Sequence, residues 1–141
     1  MRPLRTFLAI ALVVVAPAAV TAEQPVSGLI HIQLFAIGGI GVAGSMSEGE
    51  RDLRAVMNQR DAATQLREIL SRATPAGQLY ALRGLRMRDR AAYEQALPAL
   101  RKRSDAISTA RGCILNKEEM AEIVREIEHG DFDAALARPP W

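Results

Sequence analysis

Between Ser47 and Gly130 the chain is cut into short amphipathic stretches, most of them opened by a residue able to cap a helix. That punctuation limits what it can build to short helices packed on one another. Ser47 with Glu50 forms a capping box, in which the hydroxyl accepts from an orphan amide and the carboxylate returns to the N–H of the cap. It leads into Leu53, Val56 and Met57. Asp61 precedes Leu66, Ile69, Leu70 and Ala73 at i, i+3, i+4, i+7. Thr74-Pro75 starts a third stretch, with proline at the first helical position where its missing N–H costs nothing. Leu79, Leu82 and Leu85 follow, with Tyr80 beside them. Asp89 opens a fourth, carrying Tyr93, Ala96, Leu97 and Leu100, and Pro98 within it is expected to kink or split the helix. Asn116 with Glu119 makes a second capping box before Met120, Ile123, Val124 and Ile127, and Gly130 stops the run.

Outside these stretches the pattern changes. Ile30, Ile32 and Leu34 alternate with His31 and Gln33, so residues 29–37 read as a strand with one face more buried. A second β element is expected at about 106–115, turning around Gly112. The fold class expected is therefore mainly α: a small bundle or array of about five short amphipathic helices with a minor β element. The stretch from Asp61 to Arg103 resembles a HEAT-type helical array in its short helices, its Thr-Pro and Asp turns and its internal proline. That resemblance implies architecture and carries no catalytic residues.

The first 22 residues set location. Arg2 and Arg5 precede an apolar run from Phe7 to Val20, and small residues at Val20-Thr21-Ala22 suit a signal peptidase. No cysteine follows the run, so a bacterial lipoprotein is not indicated. The expected organisation is a signal peptide at 1–22, an extended leader at 23–28, a single domain at 29–133 and an extended tail at 134–141. The protein is read as exported, to the periplasm or outside the cell. Arginine supplies most of the 18 basic residues, which points to a GC-rich bacterial genome.

Charge narrows the partners. The whole chain has a formal net charge of +2, but Arg2 and Arg5 belong to the leader, so the processed chain is neutral. Long-range attraction to nucleic acid loses its support. The distribution is uneven: Arg83, Arg86, Arg88, Arg90, Arg101, Lys102 and Arg103 form a basic stretch, while 117–133 is acidic. Opposed patches can pair internally, join copies head to tail or meet a partner. The basic stretch is the candidate surface for another protein or for self-association. The single Cys113 cannot form an internal disulfide; its apolar neighbours Ile114 and Leu115 make a buried free thiol the expected state.

Several motifs resemble sites without supporting one. Gly39 to Gly44 fits G-x-G-x-x-G, but the residues after the first helix read as another helix where a dinucleotide fold needs its second parallel strand, and Glu48 and Glu50 would repel a phosphate at the helix start. The uncharged segment 29–44 gives a rival reading as a lipid-contacting element, though it is short for a span and contains His31 and Gln33. Glu126-x-x-His129, with Glu122 a turn earlier, has metal-ligand spacing but no matching motif elsewhere. Ser45 and Ser47 each lack a flanking glycine of a nucleophile elbow. The sequence therefore assigns no catalytic, cofactor-binding or metal residue and no small-molecule ligand. The expected function is an exported, non-enzymatic protein-binding or structural domain. The alternatives are an envelope protein touching lipid through 29–44, and a small hydrolase or metal-dependent enzyme.

Overall fold

The computed structural model describes residues 25–139. The expected signal peptide, the first two residues of the leader and the last two of the tail lie outside that range. The described chain is mainly helical with a small sheet. Its elements are α1 (Pro25–His31), β1 (Leu34–Phe35), α2 (Glu48–Met57), α3 (Ala62–Arg72), α4 (Pro75–Arg88), α5 (Arg90–Leu100), β2 (Ala106–Arg111), β3 (Ile114–Glu119), α6 (Met120–His129) and α7 (Asp133–Ala137).

Helix α4 is the hub. Leu79, Tyr80, Ala81, Leu82 and Leu85 are all fully buried, so it has almost no solvated face, the condition of a helix packed on every side. Helices α1, α2, α3, α5 and α6 and strands β1 and β2 all touch it. Its start follows the sequence signal: the Thr74 hydroxyl accepts from the Gly77 N–H at 3.2 Å, behind Pro75. A methyl group at Gly77 would lie 2.1 Å from the carbonyl oxygen of Leu29, so the crossing of α1 over α4 requires that glycine. The apolar stripes of the other helices converge on the same core. In α6, Met120, Ile123, Val124 and Ile127 are completely buried.

The first segment differs from expectation. Residues 25–31 form a helix, not an extended leader running into a strand. Pro25 pre-sets the first turn, and Val26, Leu29 and Ile30 at helical spacing turn inward, Leu29 completely buried. The period-2 pattern survives only at Leu34–Phe35. That short strand pairs in parallel with β2, Leu34 opposite Ser108 and Phe35 opposite Thr109.

Three local expectations need similar correction. Helix α5 runs unbroken through Pro98, which is exposed and only two residues from the helix end, where the lost bond is replaced by water at little cost. The Asn116–Glu119 capping box does not form. Both residues belong to β3, because pairing with β2 continues through Glu119 opposite Ala106. Residues 133–137 form a short helix where an extended tail was expected.

Asp89 accepts from the Ala92 N–H at 3.1 Å, and Gly130 ends α6 in the left-handed region, as their sequence positions required. Asp61 makes no cap hydrogen bond; its carboxylate takes the Gln65 side chain instead. A Gly77→Ala chain is expected to unfold about 1–3 kcal/mol more easily than the parent in urea, the usual cost of overpacking. Gly41→Leu sits in open space at φ +71°. It should cost only the backbone strain, about 1 kcal/mol.

Candidate functional site

The seven residues of the basic stretch do not form one free surface. Arg83 is 1% exposed and sits in the interior, which removes it from any interface. Its Nη2 lies 2.8 Å from Asp133 Oδ1, while Nε and Nη1 have no partner. Burial pushes the guanidinium pKa down and Asp133 opposes that shift. Arg86 grips both oxygens of the same carboxylate, at 2.8 and 3.0 Å. Arg88 donates to the Met57 carbonyl at 2.7 Å. Arg90 pairs with Glu94 and lies over the Tyr93 ring. Arg101 pairs with Glu128, and Arg103 with Asp105 and Gln78. Lys102 is exposed. Internal pairing of the two opposed charge stretches is thus what the fold does with Arg83, Arg86 and Arg101.

The glycine-rich loop is filled by its own chain. The Gly38 N–H donates to Glu50 Oε2 at 2.9 Å, and Glu50 Oε1 takes Arg54 at 2.8 Å. Glu50 therefore serves the loop and Arg54 rather than returning to the amide of Ser47, so only half of the first capping box forms: the Glu50 N–H donates to Ser47 Oγ at 3.0 Å. Arg54 then reaches across to the carbonyls of Ala135, Leu136 and Arg138 at the C-terminal end of α7. Behind the loop, the Ser47 hydroxyl donates to the Ala36 carbonyl at 2.6 Å. The Tyr80 hydroxyl accepts from the Ala36 N–H at 2.8 Å. Burial lifts the Tyr80 pKa to about 12, so the phenol stays protonated. The cavity against Gly38, Glu50 and Arg54 measures about 20 Å³, room for roughly one water. This cluster is a pin between loop, core and C-terminal segment, and its hydroxyls are already committed to holding Ala36.

A different surface stands open. Strands β2 and β3 make a hairpin with Arg111 opposite Ile114, leaving the two-residue turn Gly112-Cys113. Gly112 takes φ +57°, the positive angle that such a turn demands. The Gly41 N–H donates to the Gly112 carbonyl at 2.8 Å and ties the glycine loop beside the turn. Val42 on the loop is 99% exposed, and at the start of β3 Leu115 is 75% and Ile114 61% exposed. Cys113 is a free, exposed thiol rather than a buried one, because it occupies the turn and no element packs over it. Apolar neighbours in the sequence suggested burial, but an outer strand can carry apolar side chains with no core behind them. The signal that could have found this surface is a two-residue glycine turn at the apolar end of a strand.

The acidic stretch is engaged elsewhere. Glu118 accepts from Arg111 and Thr109, and Glu126 from Arg111. Among the described residues no group of three His, Cys, Asp or Glu is placed to hold a metal ion.

Two tests follow from these pairs. Asp133→Ala leaves Arg83 buried without its counter-charge and is expected to cost about 2–3 kcal/mol. That is below the usual 3–5 for a fully buried pair, since Asp133 is 48% exposed. Adding Arg83→Met should recover most of the loss, and an unrecovered double variant would show that the pair is not the cause.

Hydrogen bonds from Arg111, Arg101 and Arg103 hold Glu118, Glu128 and Asp105 below the ordinary carboxylate range. With folded values lower than unfolded ones, the unfolded chain binds more protons in acid. This stabilisation is complete above the ordinary range and is lost as the pH falls through it. Urea midpoints should drop on acidification, and Glu118→Gln should make that drop shallower.

Compared with known proteins, the chain matches no family model, no curated protein and no solved structure.

Proposed function

We propose that the protein is an exported, non-enzymatic protein-binding domain whose contact surface is the apolar tip formed by Val42, Ile114 and Leu115, with Cys113 in the hairpin turn beside them. The observation that carries this reading is the exposure of Val42 on the glycine loop and of Ile114 and Leu115 at the start of β3, where the Gly41–Gly112 hydrogen bond ties the loop to the hairpin turn. A rigid, exposed apolar patch on a small domain is where association releases most water. The basic stretch loses its claim because Arg83 is buried and Arg86 and Arg101 are engaged with Asp133 and Glu128. Export rests on the leader-like residues 1–22.

The lipid reading keeps less. Within 29–44, Leu29, Phe35 and Ala36 are core residues, so the segment offers a bilayer chiefly Val42. No helix among the described residues is long and apolar enough to cross a membrane.

The test is cross-linking of the tagged full chain in a bacterial envelope, comparing the parent with Ile114→Ser/Leu115→Ser and with Arg101→Ala/Lys102→Ala. A discrete partner is expected with the parent and the arginine variant, reduced at least about tenfold by the tip variant. Processed chain recovered alone from all three would overturn the reading. Flotation with anionic vesicles that depends on the tip would move the assignment to lipid.

A further inference from the structure

Strand β3 is the outer strand of the sheet, whose order is β1-β2-β3. All of its residues except Glu118 are exposed. The register determines which of its backbone groups are engaged. Arg111 and Ile114 flank a two-residue turn, and the Met120 N–H donates to the Asp105 carbonyl at 2.9 Å. Hydrogen-bonded and open positions alternate along an antiparallel pair. Ile114, Asn116 and Glu118 therefore bond to β2, and the amides and carbonyls of Leu115, Lys117 and Glu119 point away from it. The Glu119 carbonyl, at the N-cap of α6, opens the hydrogen-bond ladder of that helix, which leaves the amides of all three residues and the carbonyls of Leu115 and Lys117 along the edge.

On the strong assumption that the protein-binding reading above is right, we infer that this outer edge accepts an extended segment of a partner protein as a fourth, antiparallel strand. The chemistry of the edge specifies the segment. Leu115, Lys117 and Glu119 share one face, so the segment carries a basic, an acidic and an apolar residue at alternate positions, meeting Glu119, Lys117 and Leu115 in turn. Backbone bonds provide the affinity in this mode and alternate side chains provide the choice of partner. Ile114, on the opposite face of the strand, and Val42, on the loop bonded to the turn, flank the apolar end of the edge.

A second copy of the chain fits poorly. Two β3 strands related by a two-fold axis keep the same face, so each residue meets one of its own parity. Centred on Lys117, the pairing sets two lysines opposite each other. Centred on Asn116, it sets Leu115 against Lys117. Centred on Glu118, it pairs Lys117 with Glu119 but opposes two Glu118 side chains and leaves the apolar end uncovered. Centred on Leu115, it leaves Glu118 and Glu119 unpaired. Charges that spoil self-pairing protect an outer strand from aggregation and leave it open to a complementary sequence.

The experiment uses the chain from Glu23 onward and the synthetic peptide Thr-Arg-Thr-Glu-Thr-Val-Thr, with amide hydrogen exchange read by NMR. At about 1 mM peptide, the amides of Leu115, Lys117 and Glu119 are expected to become protected in a saturable way. A peptide with its Arg and Glu exchanged should bind about tenfold more weakly. Lys117→Pro, which removes an outward N–H and obstructs the edge, should abolish protection, while Lys117→Ala should retain it. If Lys117→Pro disturbs the hairpin, Lys117→Glu should instead weaken binding of the first peptide. Absence of protection at those three amides overturns the inference, as does protection that grows with protein concentration without peptide, the mark of a second copy. If the tip variant loses its cross-linked partner while Lys117→Pro keeps it, the protein-binding reading stands and strand docking falls.

Discussion

A helix with no solvated face needs small residues where its neighbours cross, and any charge on it needs a partner brought from elsewhere in the chain. Helix α4 meets the first need with Gly77 beneath the Leu29 carbonyl and Gly84 beneath Leu66. Arg83 creates the second. Its counter-charge, Asp133, is 50 residues away, so pairing the two positions the start of α7. The far end of α7 then presents its carbonyls to Arg54, which is paired with Glu50, which holds the Gly38 amide. The glycine loop that follows is bonded to the hairpin turn through Gly41. One buried guanidinium is thus linked, contact by contact, to the placement of the exposed tip.

That linkage uses charges from both stretches inside the molecule. Surface ion pairs contribute little on their own. Those of Arg86 and Arg101 join α4 and α5 to the last two helices, where they help set orientation. Part of the acidic stretch is used in the same way, with Glu118 and Glu126 converging on Arg111. Arg111 also lies over the Phe132 ring, so the hairpin is braced against the core while its turn projects outward.

Of the four large apolar side chains left outside among the described residues, Met87 stands alone on α4 and the other three belong to the hairpin and the glycine loop beside it. Val42 sits on the glycine loop, which is bonded to the hairpin turn, and Ile114 and Leu115 begin β3, whose far edge has no strand beside it. Rigidity lowers the entropy lost on association, which is what a small contact area needs.

By itself the sequence determined the helices with strong local signals. Thr74-Pro75, Asp89 and Gly130 mark real helix boundaries, and the stripes at Leu53, Leu66, Leu79, Tyr93 and Met120 all face the core. Caps and helical periodicity act within a turn or two, so they can be read without knowing what packs where. Tertiary structure decided the rest. It made 25–31 a helix through the docking of Leu29 on α4, kept Asn116 and Glu119 in a strand by pairing them with β2, and buried Arg83 against a distant aspartate. It also exposed Cys113, Ile114 and Leu115, whose composition alone suggested the opposite. Whether an apolar residue is covered depends on which elements lie across it, and that is a property of chain segments far apart in sequence, which no local pattern records.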